Sequence, residues 1–246
     1  MEFDAYLEQV RKQATALRAA AVSAGPDTEV PSCPGWTVRR LVSHIARVHD
    51  RVLIVLDVDP ADEPPKPPRP PEDWDTLLAY WDDKVATMLA ELARRGPGQT
   101  AWAFPGFSGT SFWARRQAHE TAIHRLDAEH ALAGLGPTLV HELIFDPELA
   151  ADGIDEMLDK ILPLGDWSQA VHAGTVLYHA PDAGRAWLVT YRPGEPPVTE
   201  APHGAALEVD ATVAGTADAV YRRVWGRPST ALVTGDAALA AVAAGR

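Results

Sequence analysis

The stretch that decides the fold is Trp113-Ala-Arg-Arg-Gln-Ala-His-Glu-Thr-Ala-Ile-His-Arg-Leu-Asp127, which has the spacing of a long helix with two different faces. Glu120 and His124 are four residues apart, so a helix places their carboxylate and imidazole on one side, one turn apart. Within about 60 degrees of Glu120, at 100 degrees per residue, lie four more side chains: Trp113, Arg116, Gln117 and Asp127. A polar stripe beside the apolar one indicates that this helix faces something polar, and we predict a metal ion.

Three more segments have apolar residues at helical spacing, and together with the opening segment they predict a four-helix bundle over residues 1–145. Thr37 is the expected N-cap of the second helix. The proline-rich residues 58–71 are too extended for a helix or a strand and are expected to cross the surface as the one long connection. The four predicted helices cover residues 3–24, 37–57, 72–95 and 110–134.

The pattern changes after residue 145, and residues 146–246 are predicted to form a small α+β domain that starts with a helix. β-branched and alternating segments separated by Gly- and Pro-rich turns predict strands. The fold class is therefore α plus α+β, a helical bundle followed by an α+β domain. The predicted helices of the second domain are 147–162, 216–225 and 236–244, and its predicted strands are 170–179, 186–192 and 206–214.

The composition restricts the classes of partner. A formal net charge of −12 argues against nucleic acid and against anionic membrane surfaces, since both need clustered Lys and Arg. The chain has no apolar run long enough to span a membrane, and its acidic first residues lack the features of a signal peptide. Its single cysteine, Cys33, excludes an internal disulfide. We expect a cytoplasmic protein, monomeric or homodimeric. The excess of Ala, Arg, Pro and Gly suits a GC-rich genome, such as an actinobacterial one.

Two ligands do not complete a zinc site, which usually has three protein ligands and an open position. In a bundle the third ligand comes from a facing helix, and the predicted helix 37–57 offers His44 and His49. Both histidines border its apolar stripe, and periodicity alone does not choose between them.

Three motifs, in order along the chain, resemble the mycothiol-dependent maleylpyruvate isomerase family. The first two are Cys33-Pro-Gly-Trp-Thr-Val-Arg-Arg-Leu-Val-Ser-His44 and the segment Arg115–Asp127. The third is Val213-Ala-Gly-Thr-Ala-Asp-Ala, with Trp225-Gly-Arg and Val233-Thr-Gly-Asp-Ala-Ala-Leu after it. The resemblance implies a DinB-like metal-binding four-helix bundle followed by a sterol-carrier-like α+β domain.

The resemblance also implies a site. The family's zinc ligands fall on His44, Glu120 and His124, and its active-site arginine falls on Arg227, with Arg223 as the fallback. Mycothiol is the implied co-substrate, and zinc the implied metal, although another divalent ion would suit the same ligands. Arg227 would then act as catalytic residue and hold a substrate carboxylate, in a cleft expected between the two domains.

The implied activity is that of an isomerase or an S-transferase, in which a metal-activated thiolate adds to a small electrophile. The alternative is a non-catalytic metal- or ligand-binding module of the DinB-like group. Trp113 and Trp36 are candidates to line the pocket. Asp127 could orient His124 from outside the ligand set, but we favour a surface aspartate paired with Arg116 or Arg125. For Cys33 we favour a buried structural thiol.

Overall fold

Four long helices make up most of the first part of the chain, in a computed structural model that describes residues 1–104, 109–134, 144–203 and 208–245. They are α1 (Phe3–Ala24), α2 (Val38–Val55), α3 (Trp74–Arg95) and α4 (Gly109–Leu132). The bounds of α1 are those expected from the sequence, whereas α2 ends at Val55 and not at residue 57. These helices belong to a first compact unit, Met1–Val140, and the rest of the chain forms a second unit, His141–Arg246.

Local signals set where the helices begin and end. The Thr37 hydroxyl accepts a hydrogen bond from the Arg40 amide and caps α2 as predicted. Asp73 caps α3 through the Thr76 amide, so this helix begins at Trp74 and not at residue 72. Gly96 follows α3 with φ of +73°, a backbone conformation that residues with a Cβ rarely adopt.

Two buried apolar clusters lie in the first unit. One includes Leu17, Leu41 and Trp81, and the other includes Val10, Val52 and Met88. Along α4, residues 113–118 contribute to the second cluster and residues 128–131 to the first. The polar part of α4 therefore lies, along that helix, between two apolar regions that exclude water.

The second unit starts with a helix that changes its geometry. Residues 147–162 were expected to form one α-helix, but α5 covers only Pro147–Asp155. A π-helical segment, Glu156–Ile161, and a short 3₁₀ turn, Leu162–Leu164, continue it. The Asp146 side chain caps α5 by accepting from the Leu149 amide.

A five-stranded mixed sheet follows, in the spatial order β3-β2-β1-β4-β5. β1 pairs in parallel with β4, and the other neighbours are antiparallel. Two short helices, α6 and α7, lie on either side of β5 in the sequence, and α6 is capped by Thr216. The bounds are β1 (Gly174–Ala180), β2 (Arg185–Arg192), β3 (Glu195–Glu200), β4 (Ala211–Ala214), α6 (Ala217–Val224), β5 (Leu232–Gly235) and α7 (Ala237–Ala240).

The predicted fold class is confirmed, although two strands were missed and two others, β1 and β4, begin later than expected. β3 was taken for a turn because it contains Pro196 and Pro197, and proline is tolerated in a strand only at positions such as a sheet edge. β3 is such an edge strand. β4 begins at Ala211 and not at residue 206, and residues 206 and 207 lie outside the described residues. No helix within the described ranges is long and apolar enough to cross a membrane.

Candidate metal centre

Three potential ligands converge between α2 and α4. His44 Nε2 lies 3.1 Å from Glu120 Oε1, and His124 Nε2 lies 3.4 Å from the same oxygen. The ligand atoms of the three residues are all within 4.8 Å of one another. The Glu120 and His124 contributions follow from their spacing on α4, whereas that of His44 depends on how α2 packs against it.

The structure separates the two histidines that periodicity left open. His49 is fully buried, and both of its ring nitrogens are engaged. Trp81 Nε1 donates to Nδ1 at 3.1 Å, and Nε2 lies 3.1 Å from the Thr121 hydroxyl. Burial lowers the pKa of His49 to about 3, so this imidazole is neutral and belongs to the core.

Asp127 is buried beneath His124, and the expectation of a surface aspartate is wrong. Its carboxylate is 0% exposed and lies 2.9 Å from His124 Nδ1. It also accepts hydrogen bonds from the Ser32 hydroxyl at 2.6 Å and from the half-buried Cys33 thiol at 3.4 Å. Asp127 thus restrains the ring that carries one potential ligand. It also joins α4 to the connector, which is the segment between α1 and α2, residues 25–37.

Sequence reasoning missed Ser32 as part of this site and paired Arg116 with the wrong carboxylate. The Arg116 guanidinium donates to Glu120 Oε2 and leaves Oε1 to the two histidines. Arg116 and Glu120 are four residues apart, which is the spacing that could have indicated this pair.

Buried charge sets the protonation of the centre. Burial opposes ionisation of Glu120, but Arg116 and the hydrogen bonds from His124 and His44 hold its pKa well below the ordinary value. Burial likewise favours the neutral form of His124, yet its bonds to Asp127 and Glu120 raise its pKa to about 9. The carboxylate is therefore ionised and available as a ligand near neutral pH.

Trp36 covers the pair of histidines. Its ring is stacked on His124, with centroids 6.1 Å apart and planes at 19°, and its centroid is 5.1 Å from that of His44. The Arg40 guanidinium lies 5.0 Å from the centroid of the same indole. Trp36 also borders a cavity of about 500 Å³, but none of the three potential ligands is among the described residues that line it, so its role in lining the substrate pocket stays a prediction.

Two other predicted site residues lie in different surroundings. Trp113 is buried in an aromatic cluster with Trp102 and Phe104, and its indole N–H donates to the Trp102 carbonyl. Arg227 belongs to the second unit, where it follows α6 and donates to the Trp225 carbonyl at 2.7 Å. The contacts of Trp113 and Arg227 do not test the roles predicted for them, so both roles remain predictions.

The donor set fits a zinc ion or a similar divalent metal. Zinc binds imidazole nitrogen and carboxylate oxygen at about 2.0–2.1 Å, which separates neighbouring ligand atoms of a tetrahedron by about 3.3 Å. The distances of 3.1 Å and 3.4 Å to Glu120 Oε1 match that spacing. Within the described part of the chain, this cluster offers three ligand atoms, one from each residue. Three ligands with an open position are typical of catalytic zinc sites, whereas structural sites are closed by four.

Comparisons with known proteins agree on one family. The family model "Mycothiol maleylpyruvate isomerase N-terminal domain" matches residues 7–129. Two crystal structures of mycothiol-dependent maleylpyruvate isomerase, one of them a histidine-to-alanine mutant, have the same fold with TM-scores of 0.64 and 0.66. Each is 14% identical to this chain, and each comparison covers 95% of this chain and 93% of the solved one. Curated proteins give no match.

Proposed function

Because the chain belongs to the mycothiol maleylpyruvate isomerase family, we propose that it is a zinc-dependent, thiol-using isomerase or S-transferase of the cytoplasm. Its substrate would be a small electrophile that bears a carboxylate, and mycothiol would be the thiol. The observation that supports the proposal is the convergence of His44, Glu120 and His124, whose ligand atoms all lie within 4.8 Å of one another.

The three ligands suit the activation of a thiol. A metal ion would take the place of the proton on His124 Nε2. Two neutral imidazoles and one carboxylate would then leave a divalent ion with a net positive charge, which would lower the pKa of a thiol that binds beside it. Arg116 restrains Glu120 through its second oxygen, so that the carboxylate presents Oε1. Asp127 accepts from His124 Nδ1–H, so that Nε2 is the nitrogen free to bind metal.

The thiolate sulfur would form a bond to one carbon of the substrate double bond. The electron pair of that double bond moves towards the conjugated carbonyl, and the former double bond then rotates as a single bond. Elimination returns the electron pair, breaks the carbon–sulfur bond and releases the trans product with the thiol regenerated. Where the substrate carries a leaving group in place of the alkene, the same attack forms the carbon–sulfur bond while the leaving group departs with its electron pair. The product is a thioether, and the protein then acts as an S-transferase.

Arg227 is our candidate for the substrate carboxylate, because a guanidinium binds a carboxylate through two parallel hydrogen bonds. We expect Arg227→Gln to raise KM for a carboxylate substrate and to leave zinc content unchanged. An unchanged KM would remove Arg227 from the site.

The deciding experiment is a substrate-panel assay on zinc-loaded protein with and without mycothiol, together with zinc analysis of variants. We expect one zinc per chain, lost in His44→Ala, Glu120→Ala and His124→Ala, and turnover that requires the thiol. His49→Gln is the matched control, since it changes a buried histidine of the same helix outside the ligand set. Turnover without thiol would contradict the mechanism, and wild-type protein that binds no zinc would contradict the metal site.

A further inference from the structure

A second cavity opens beside the metal centre, on the exposed side of α2. It has a volume of about 350 Å³, at the lower end of the range for small-molecule sites. His44 is part of its wall, and the His44 side chain is 36% exposed. The described lining residues are His44, Arg47, Val48, Arg51, Lys66 and Pro67.

Three of those lining residues are cations and none is an acid. His44, Arg47 and Arg51 are spaced three and four residues apart, so they lie along one face of α2. Lys66 comes from the proline-rich segment after α2, and this segment therefore supplies a wall of the cavity as well as a connection. For a chain with a net charge of −12, three cations around one cavity are a marked local excess of positive charge.

None of the three cations has an ion-pair partner among the described residues. The Arg51 guanidinium lies 5.1 Å from the centroid of the Trp102 ring, a contact that leaves its N–H groups available. Among the described residues, no carboxylate lies within ion-pair distance of Arg47 or Lys66, whereas Arg39 nearby is paired with Asp27. Arg47 also borders a neighbouring cavity of about 510 Å³ that includes Arg39, Arg40 and Arg69.

We infer that the cavity lined by Arg47, Arg51 and Lys66 is a carboxylate subsite that holds the electrophilic substrate next to the metal centre. This inference rests on the proposed function, because it gives the proposed substrate an anionic group in this cavity, in addition to the carboxylate assigned to Arg227. The three cations are positioning residues, which bind and orient the substrate while the reaction takes place beside His44. Charge-assisted hydrogen bonds to a carboxylate are the strong ones, so these residues would select dianions over neutral analogues.

The test is calorimetric titration of zinc-loaded protein with fumarate, a small dianion, and with fumaramide, its neutral diamide. In Arg47→Gln/Lys66→Gln, fumarate should bind at least about 10-fold more weakly, because each charge-assisted hydrogen bond contributes a factor of that order. Fumaramide binding should stay unchanged, and added salt should weaken fumarate binding to the wild type. Lys12→Gln, which removes an exposed cation of α1, is the control and should bind both as the wild type does.

Three results would overturn the subsite. One is unchanged fumarate affinity in the double variant, and another is an equal loss for fumarate and fumaramide. The third is weaker binding of mycothiol and not of fumarate, which would assign the cations to the thiol. Arg47→Lys/Lys66→Arg keeps the charge and should retain fumarate binding, so a loss there would overturn the electrostatic account as well.

Failure of the proposed function has a separate signature. Protein that binds no zinc, or that turns over no electrophile, would refute the activity. The same titration on metal-free protein would still measure whether fumarate depends on Arg47 and Lys66.

Discussion

At the scale of single residues, Asp127 is a buried carboxylate in direct contact with one of the proposed metal ligands. It is fully buried, and its bond to His124 Nδ1 restrains the ring on which zinc binding would depend. We expect Asp127→Asn to weaken zinc binding by about 10-fold or more, since partners of metal-bound histidine contribute on the order of 10–100-fold. Competition with a chelator would measure this.

The control for that prediction is Ser32→Ala, which removes one hydrogen bond to Asp127 but leaves its negative charge in place. Its zinc affinity should change much less than that of Asp127→Asn. Equal affinities in the wild type and Asp127→Asn, with both proteins folded by circular dichroism, would show that Asp127 does not act through His124.

His49 makes the first unit sensitive to acid. Its pKa is about 3 in the folded protein, against 6.5 for the ordinary imidazole. Between these values the unfolded chain binds more protons than the folded protein does. The contribution of His49 to the free energy of unfolding is therefore complete above pH 6.5 and falls as the pH drops towards 3. The slope from one such group is about 1.4 kcal/mol per pH unit.

We therefore expect metal-free His49→Gln to show a shallower loss of stability than the wild type in urea unfolding between about pH 4.5 and 6.5. The comparison uses the slope and not the absolute stability, because the substitution also disturbs the bond from Trp81. Parallel slopes in the two proteins would show that His49 is not the group that titrates.

At the scale of elements, the sequence predicted those structures whose signals are local. The helices of the first unit follow from periodicity and caps, and Glu120 and His124 share a face because they are one turn apart on α4. The choice of His44 over His49 could not come from periodicity, because both border the apolar stripe of α2 and only packing against α4 separates them. Asp127 was misread for the same reason, since the Ser32–Cys33 connector that covers it is far away in the sequence.

The sheet provides a prediction about backbone geometry, at the end of β5. Gly235 has φ of +78°, and a Cβ there would overlap the Asp210 carbonyl oxygen, so Gly235→Ala must distort the backbone. Gly184 has a similar φ of +62°, but a Cβ there would meet open space. We expect Gly184→Ala to cost about 1 kcal/mol of unfolding free energy and Gly235→Ala at least about 3.

Urea unfolding, monitored by hydrogen exchange of the β1 and β4 amides, would measure the change in the free energy of unfolding for both variants. Because neither glycine lies near the metal ligands in the sequence, both variants should retain one zinc per chain. Similar costs at the two positions would mean that the contact with Asp210 does not determine the requirement for glycine at 235.

At the scale of the whole molecule, the net charge of the chain and the charge around the cavity beside His44 have opposite signs. The chain carries 34 Asp and Glu against 22 Lys and Arg, yet three cations line the cavity beside His44. A negative surface repels anionic substrates at long range, where salt screens it, whereas cations within the cavity attract them at short range. Affinity for an anionic substrate should therefore depend on the local cations more than on the net charge.

Removal of zinc is the change that tests the molecule as a whole, because a ligand that binds only the folded state stabilises that state. With free zinc at about 100 times its Kd, binding adds about 2.7 kcal/mol to the free energy of unfolding. For a unit of this size the melting temperature should rise by about 5–10 °C. Calorimetric scans of chelator-treated protein, with and without added zinc, would measure the shift.

Hydrogen exchange should show the added protection first in α2 and α4, the helices that carry the proposed ligands. In Glu120→Ala the shift should disappear, since the remaining histidines lose the oxygen that both approach. An equal shift in the wild type and Glu120→Ala would mean that zinc stabilises this protein from another place.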